Sequence, residues 1–291
     1  MARRLRYRYH WEVDSPTSGQ DLSTLVDLLR HGQVCLLTGA GMSTASGIPD
    51  YRGPSANLRR DPIQFREFRD DAATRARYWA RSAVGWPWIR AREPNPAHAA
   101  VAKLESLGVV LGVITQNVDG LHQRAGSRNV LELHGSLDEV VCLNCGKAEP
   151  REIFQDRLPL LNPGWDAIVA EMNPDGDAEI GDDFTASFSV PPCRVCRGVL
   201  KPNVVFFGES VPHARVETAF SMVESCASLI VLGSSLTVFS GYRFVKHARS
   251  KNKPVAILNQ GKTRGDPLAQ IVIDKPLEEC LPHLVRLFEM E

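Results

Sequence analysis

Val34-Cys35-Leu36-Leu37-Thr38-Gly39-Ala40-Gly41-Met42-Ser43-Thr44-Ala45-Ser46-Gly47 is the stretch on which the fold turns. An apolar run without polar alternation is what a strand covered on both faces needs. Glycines directly after such a strand let the backbone approach a pyrophosphate, and the next helix N-terminus offers free N–H groups and a positive dipole end. The third glycine of the dinucleotide fingerprint would fall at Thr44 and is missing, so the turn alone is also compatible with a tight bend that holds no ligand. Ile48-Pro49-Asp50-Tyr51-Arg52 follows where a ligand-covering loop would leave the sheet.

Further out, Val109 to Ile114, Leu229 to Leu232 and Val255 to Leu258 repeat the pattern, each ending in a polar or glycine-rich turn. Helical spacing in Asp21 to Arg30, Asn95 to Leu107 and Val216 to Ser225 supplies crossovers. The expected fold is α/β, a Rossmann-like doubly wound parallel sheet with a small inserted zinc-binding module and a helical insertion. Its core would comprise 21–52, 94–141 and 203–291. Residues 53–93 would form the helical insertion with a ligand-covering loop, 142–202 the zinc module, and 1–20 a basic tail.

Lys plus Arg and Asp plus Glu are equal at 34 each, so no global field draws the protein to nucleic acid or a membrane. Hydrophobic residues at 43% and charged ones at 23% are ordinary globular composition and exclude a disordered or fibrous chain. No run approaches the roughly 20 apolar residues of a membrane span. Arg3, Arg4, Arg6 and Arg8 have no apolar stretch behind them, which excludes a secretory signal and leaves a solvated tail or an organelle-targeting remnant. The expected setting is cytoplasmic, or the mitochondrial matrix in a eukaryote, with a monomer compatible with the sequence.

Cys142-x-x-Cys145 and Cys193-x-x-Cys196 are two metal knuckles on either side of a long Pro/Gly-interrupted loop. Four thiolates close a tetrahedral site and leave no position for a catalytic water, so the expected ion is one structural Zn2+ per chain. A redox pair is the alternative, though it has no need of a second copy. Cys35, Cys226 and Cys280 read as buried thiols in a reducing compartment.

The second strand ends in Thr115-Gln116-Asn117-Val118-Asp119. Ligands of open α/β sheets bind beyond the strands' carboxyl ends, so Gln116, Asn117 and Asp119 should face the crevice of the glycine turn. None of the three is a strong nucleophile. The group suited to proton chemistry is His134, whose imidazole titrates near neutrality and could take a proton from a sugar hydroxyl; a structural histidine is the other reading.

In order and spacing, Gly39-Ala40-Gly41-x-Ser43, Gly47-Ile48-Pro49-Asp50-Tyr51-Arg52, Thr115-Gln116-Asn117-Val118-Asp119, Leu133-His134-Gly135 and the paired cysteines resemble the sirtuin family over roughly Asp21 to Pro282. The resemblance implies NAD as co-substrate and acylated-lysine proteins or peptides as partners. Gly39, Ala40, Gly41, Ser43, Asp50, Tyr51 and Arg52 would meet its phosphates and nicotinamide end. Gln116, Asn117 and Asp119 would hold the ribose and carboxamide, with Asn117 and Asp119 in the catalytic set and His134 as the base. Gly233-Ser234-Ser235 and Asn259-Gln260-Gly261 would hold the adenosine half, with backbone near Leu277. The acyl oxygen of the modified lysine would attack the ribose carbon bearing nicotinamide, and a ribose hydroxyl activated by the base would then attack the acyl carbon. Free lysine, nicotinamide and O-acyl-ADP-ribose would result. Tyr51 stands where many relatives carry Phe.

Val205, Phe206, Phe207 and Gly208 resemble the family's substrate stretch, where an extended peptide adds to exposed backbone; without the resemblance the segment reads as a core strand. Tyr78 and Arg81, three apart on a helix, share a face and suit a carboxylate, as in sirtuins that prefer dicarboxylic acyl groups. Acidic acyl chains such as succinyl, glutaryl or methylglutaryl are therefore expected, against an Arg that only pairs with a surface acid. The chain looks most like the class II branch that includes a mitochondrial lipoamidase and ADP-ribosyltransferase type, and the long loop between Cys145 and Cys193 could serve as a lid. Protein ADP-ribosyl transfer and a non-catalytic NAD-sensing zinc scaffold stand as alternatives; a zinc hydrolase conflicts with a closed four-sulfur site.

Overall fold

A computed structural model describes residues 22–50, 62–165, 171–172, 178–179 and 185–290. Helix α1 (Leu22–Arg30) buries Leu22, Leu25, Val26 and Leu29 at helical spacing and leads into β1 (Val34–Thr38). Then come α2 (Phe65–Asp70), α3 (Ala72–Arg90), α4 (Pro96–Ser106), β2 (Val110–Thr115), α5 (Leu121–Arg124) and β3 (Val130–Glu132). Strands β4 (Gly135–Cys142) and β5 (Ala148–Pro150) precede α6 (Arg151–Leu161), the short pair β6 (Glu171–Met172) and β7 (Ala178–Glu179), and β8 (Leu200–Val204). The chain closes with α7 (His213–Ser225), β9 (Ser228–Leu232), α8 (Phe239–Ser250), β10 (Val255–Leu258), β11 (Ile271–Ile273) and α9 (Leu277–Met290).

Six strands form one sheet in the order β11-β10-β9-β1-β2-β3, and every neighbouring pair is parallel. Because β2 and β3 lie on one side of β1 and β9 to β11 on the other, the order reverses beside β1, where such sheets open a crevice. The predicted doubly wound sheet is what the chain adopts. Its strands are covered on both sides. Leu36, Ile230 and Leu258 pack with α1, α4 and α9, whereas Leu37, Val231 and Ile257 pack with Ala219 and Val223 of α7 and Phe244 and Val245 of α8.

The second unit is a three-stranded sheet in the order β5-β4-β8, antiparallel throughout. Its core is not its own. Val140, Cys142, Phe154, Leu158 and Leu200 share a cluster with Phe68 of α2 and with Tyr78 and Trp79 of α3. The Trp79 indole N–H donates to the Leu200 carbonyl at 3.2 Å, and Asp71 caps α3 by accepting from the Ala73 and Thr74 N–H groups. Arg151, 1% exposed, places its guanidinium over the rings of Trp79, Trp86 and Phe154 and donates to the Ser82 carbonyl and hydroxyl. Burial lowers its pKa to about 10.

Candidate active site

The register of the large sheet sets Thr38 beside Thr115 and Leu232, and Leu232 beside Leu258. The next residues along each strand, Gly39, Gln116, Gly233 and Asn259, therefore stand in a row along one edge. Gly39 N–H donates to Leu232 O (3.0 Å), Gly41 N–H to Gly233 O (2.9 Å) and Gln116 N–H to Thr38 O (3.0 Å). Two glycine turns press together here without side chains between them: a Cβ on Gly233, whose φ is +59°, would lie 2.6 Å from the Gly41 carbonyl carbon. Only glycine fits both the backbone conformation and the approach.

Above this row lies a cleft of about 1040 Å³, at the upper end of the size of cofactor sites. Gly39, Ala40, Gly41, Ser43 and Asp50 line it from the first turn, and Gln116, Asn117 and Asp119 from the end of β2. Gly233, Ser234 and Ser235 line it after β9, and Asn259, Gln260 and Gly261 after β10. These polar groups are tied to one another. The Asn117 amide donates to Gly39 O (3.0 Å) and the Ser43 hydroxyl (3.1 Å), while the Gln116 amide donates to Ser234 Oγ (2.9 Å). The Asp119 carboxylate accepts from Ser43 Oγ (2.7 Å) and Leu121 N (2.9 Å). Burial pushes its pKa up, and those hydrogen bonds hold it back.

His134 sits between β3 and β4 at the same edge. Its Nδ1 is 2.9 Å from Gln116 O, which can only accept, so Nδ1 carries the proton; Nε2, 2.8 Å from Ser240 Oγ, is then the acceptor in the neutral ring. Burial lowers the pKa, the Gln116 contact raises it, and Arg243 and Arg215 lower it further. A neutral imidazole at the cleft wall has the one lone pair that a proton acceptor needs.

The segment after β8 forms a further part of the wall, and Val205, Phe206, Phe207 and Gly208 all line the cleft. Val205 N–H donates to His134 O at 2.7 Å. Lys201, 4% exposed, reaches Glu209 at 3.1 Å, and Glu209 accepts from Phe206 N–H at 2.9 Å, which closes the turn. The structure separates the predicted acyl-pocket pair: Tyr78 lines the cleft, while Arg81 is 3% exposed and lies outside the lining. Leu277 is buried at the start of α9, also outside it. Tyr51 and Arg52 lie outside the described residues, as does part of the loop between Cys145 and Cys193. Ser240 and Arg243 line the cleft beside the base and went unread in the sequence.

The four cysteines converge. Cys142 Sγ is 3.5 Å from Cys196 Sγ and Cys145 Sγ 3.8 Å from Cys193 Sγ, and all four sulfurs lie within 4.8 Å of one another. A tetrahedron with Zn–S bonds of about 2.3 Å has edges of roughly 3.8 Å. Each knuckle closes alike: Gly146 N–H donates to Cys142 O and Arg197 N–H to Cys193 O, with φ of +70° and +65°. These cysteines are positioned to bind a structural zinc, which would supply cross-linking and no chemistry.

An NAD-sized crevice at a parallel-sheet switch point, a neutral imidazole and a four-sulfur module together define a zinc-stabilised, NAD-using class of enzyme. The sequence pattern of the Sir2 family matches residues 39–240, and the chain belongs to that family, the sirtuins. It is 50% identical over 281 residues to "NAD-dependent protein deacetylase 1" of Streptomyces coelicolor, covering 96% of this chain and 94% of that one. It is 46% identical over 271 residues to human "NAD-dependent protein lipoamidase sirtuin-4, mitochondrial", covering 92% and 86%. A solved structure described as "Sir2-p53 peptide-NAD+" superposes with a TM-score of 0.77 at 30% identity, covering 94% of this chain and 100% of that one. NAD is the co-substrate of the family. Among the described residues no helix is long and apolar enough to cross a membrane.

Proposed function

We propose that this protein is an NAD-dependent protein lysine deacylase that releases nicotinamide and transfers the acyl group to ADP-ribose. The observation that carries the reading is His134, a neutral imidazole locked at Nδ1, facing the cleft in which Asn117 and Asp119 also stand. NAD supplies a ribose carbon from which nicotinamide departs as the lysine's acyl oxygen bonds to it. The chain's part is to bind and to move one proton. Gly39 to Gly41 and Gly233 to Ser235 cradle the dinucleotide, Asn117 and Asp119 orient its ribose and carboxamide end, and backbone from Val205 to Gly208 holds the acylated peptide. His134 Nε2 takes a proton from a ribose hydroxyl, whose oxygen attacks the acyl carbon; that proton passes to the departing lysine nitrogen, and a water adds to the acyl carbon left bridging the two ribose oxygens, so that free lysine and O-acyl-ADP-ribose result.

The test is to incubate the protein with NAD and acyl-lysine peptides from acetyl to glutaryl, with His134→Tyr as control, and to measure nicotinamide and O-acyl-ADP-ribose by mass spectrometry. Acyl-dependent O-acyl-ADP-ribose that vanishes in the variant is expected. NAD consumption without acyl dependence would favour protein ADP-ribosyl transfer. NAD binding without turnover would favour a zinc scaffold that senses NAD.

The finer reading is a preference for acidic acyl groups. It is supported by Tyr78 in the cleft wall and by Arg81 three residues further along α3, and it requires the Arg81 guanidinium to serve a carboxylate at that wall. If Arg81→Met turns over glutaryl and acetyl peptides in the same ratio as the parent, this preference is not Arg81's work. The reading carries a cytoplasmic setting, or the mitochondrial matrix in a eukaryote, supported by cysteines arranged for metal rather than for disulfides.

A further inference from the structure

The base reads as a proton acceptor, yet a neutral imidazole has one lone pair, and in this structure that lone pair is in use. Ser240 Oγ stands 2.8 Å from His134 Nε2. With Nδ1–H committed to the Gln116 carbonyl at 2.9 Å, the Ser240 hydroxyl must be the donor to Nε2. A ribose hydroxyl that is to give up its proton needs the same lone pair.

The placement of Ser240 is over-determined. It lies in the first turn of α8, next to Gly241, and a Cβ on Gly241 would fall 2.4 Å from Gln116 Oε1. The missing side chain lets the helix start press against Gln116, the residue whose carbonyl holds the other ring nitrogen. The imidazole is thus gripped at both nitrogens by two elements that touch each other. Arg243, one helical turn beyond Ser240, also lines the cleft. Arg243 on α8 and Arg215 on α7 are the charged groups that bear on the ring, and both disfavour its protonated form.

We infer that Ser240 is a positioning residue for the general base, a placeholder that occupies Nε2 in the free enzyme and yields it to a ribose hydroxyl of the bound co-substrate. The inference rests on the deacylase reading for the identity of the incoming hydroxyl, but not for the state of the free enzyme. The hydroxyl keeps the ring neutral and aimed while the cleft is empty. When NAD and the acylated peptide are in place, the ribose O–H takes the position, its proton passes to Nε2, and the resulting cation keeps Nδ1–H on the Gln116 carbonyl.

The sign is fixed by the donor. An O–H donated to Nε2 stabilises the neutral ring, so removing it raises the pKa of His134 and moves the acid limb of the activity profile to higher pH. The experiment titrates the His134 ring by NMR in the NAD-free protein, for the parent, Ser240→Ala and Ser240→Thr, and records kcat/KM against pH for the same proteins. Ser240→Ala is expected to raise the midpoint by about half to one pH unit, the value of one hydrogen bond. The acid limb of kcat/KM, which reports the free enzyme, should move with it, and Ser240→Thr, which keeps the hydroxyl, should restore both. An unmoved midpoint in Ser240→Ala overturns the inference. So does an equal fall in rate at every pH with the limb in place, which would make Ser240 a proton relay. The titration needs no substrate, so a protein that releases no acyl-dependent nicotinamide would sink the deacylase reading and leave the Ser240 test intact.

Discussion

The two halves of the molecule bring side chains to one cleft by different means. The large sheet does it with backbone alone: six strands in register place their last residues in a row, and turns of bare glycine close the gaps. Its clusters on both faces are its own. The smaller sheet has no such independence, because its apolar residues share a cluster with α2 and α3 and its far end depends on four cysteines. A site built on register should resist local damage, whereas one built on a borrowed core and a metal should fail as a unit.

The largest expected effect is therefore metal removal. Chelation, or Cys196→Ser, should expose the amides of β4, β5 and β8 to hydrogen exchange while those of β1, β2 and β9 stay protected, and acyl-dependent product should fall to background. Structural zinc contributes on the order of 10 kcal/mol in small domains. Loss of protection in both halves together would break the contrast.

Acid is the matching stress for the large sheet. His98 and His122 are buried, with rings 5.0 Å apart and His122 Nε2 3.0 Å from Thr38 Oγ1. Burial lowers their pKa values to about 4 and about 3, against 6.5 for the free side chain. Folded values below the unfolded one mean that stability is complete above pH 6.5 and is lost as pH falls toward 4. The pair should cost roughly 4 kcal/mol between pH 7 and 5. Urea unfolding followed by exchange at β1 and β2 checks this; a flat profile would show that the fold does not hold the two histidines below their free value.

Gly233→Ala attacks the contact between the two turns and should weaken NAD binding by about a hundredfold, roughly 3 kcal/mol. Zinc content should stay at one per chain, measured by metal analysis beside calorimetric NAD titration. The smallest effect belongs to Lys201→Met, which removes a buried partner of Glu209 and loosens the turn over Phe206. The KM for peptide should rise about tenfold, or 1.4 kcal/mol, with the KM for NAD moving far less; equal changes in both would mean the turn also shapes the NAD side.

Much of the large sheet could be read in advance because burial on both faces leaves uninterrupted apolar runs such as Val34 to Leu37. β3 and β11 went unread because three residues are too few for a period to show. The paired cysteines were legible from spacing alone. Helical spacing correctly put Tyr78 and Arg81 on one helix, but position along the helix, which spacing does not encode, sends one to the cleft and the other outside its lining. Ser240 and Arg243 left no pattern, since their relation to His134 exists only because α8 starts hard against Gln116. The one trace was Gly241, a glycine in the first turn of a helix.

Among the links between the two halves is the hydrogen bond from Val205 N–H to His134 O, 2.7 Å long. On the proposed function it ties the edge that would receive the peptide to the backbone of the residue that would receive the proton. A peptide that seats askew must drag the base with it or sit out of its reach. Discrimination among substrates would then be written in the turnover number more than in occupancy, and a poor sequence could bind well, block the cleft and act as an inhibitor of its betters.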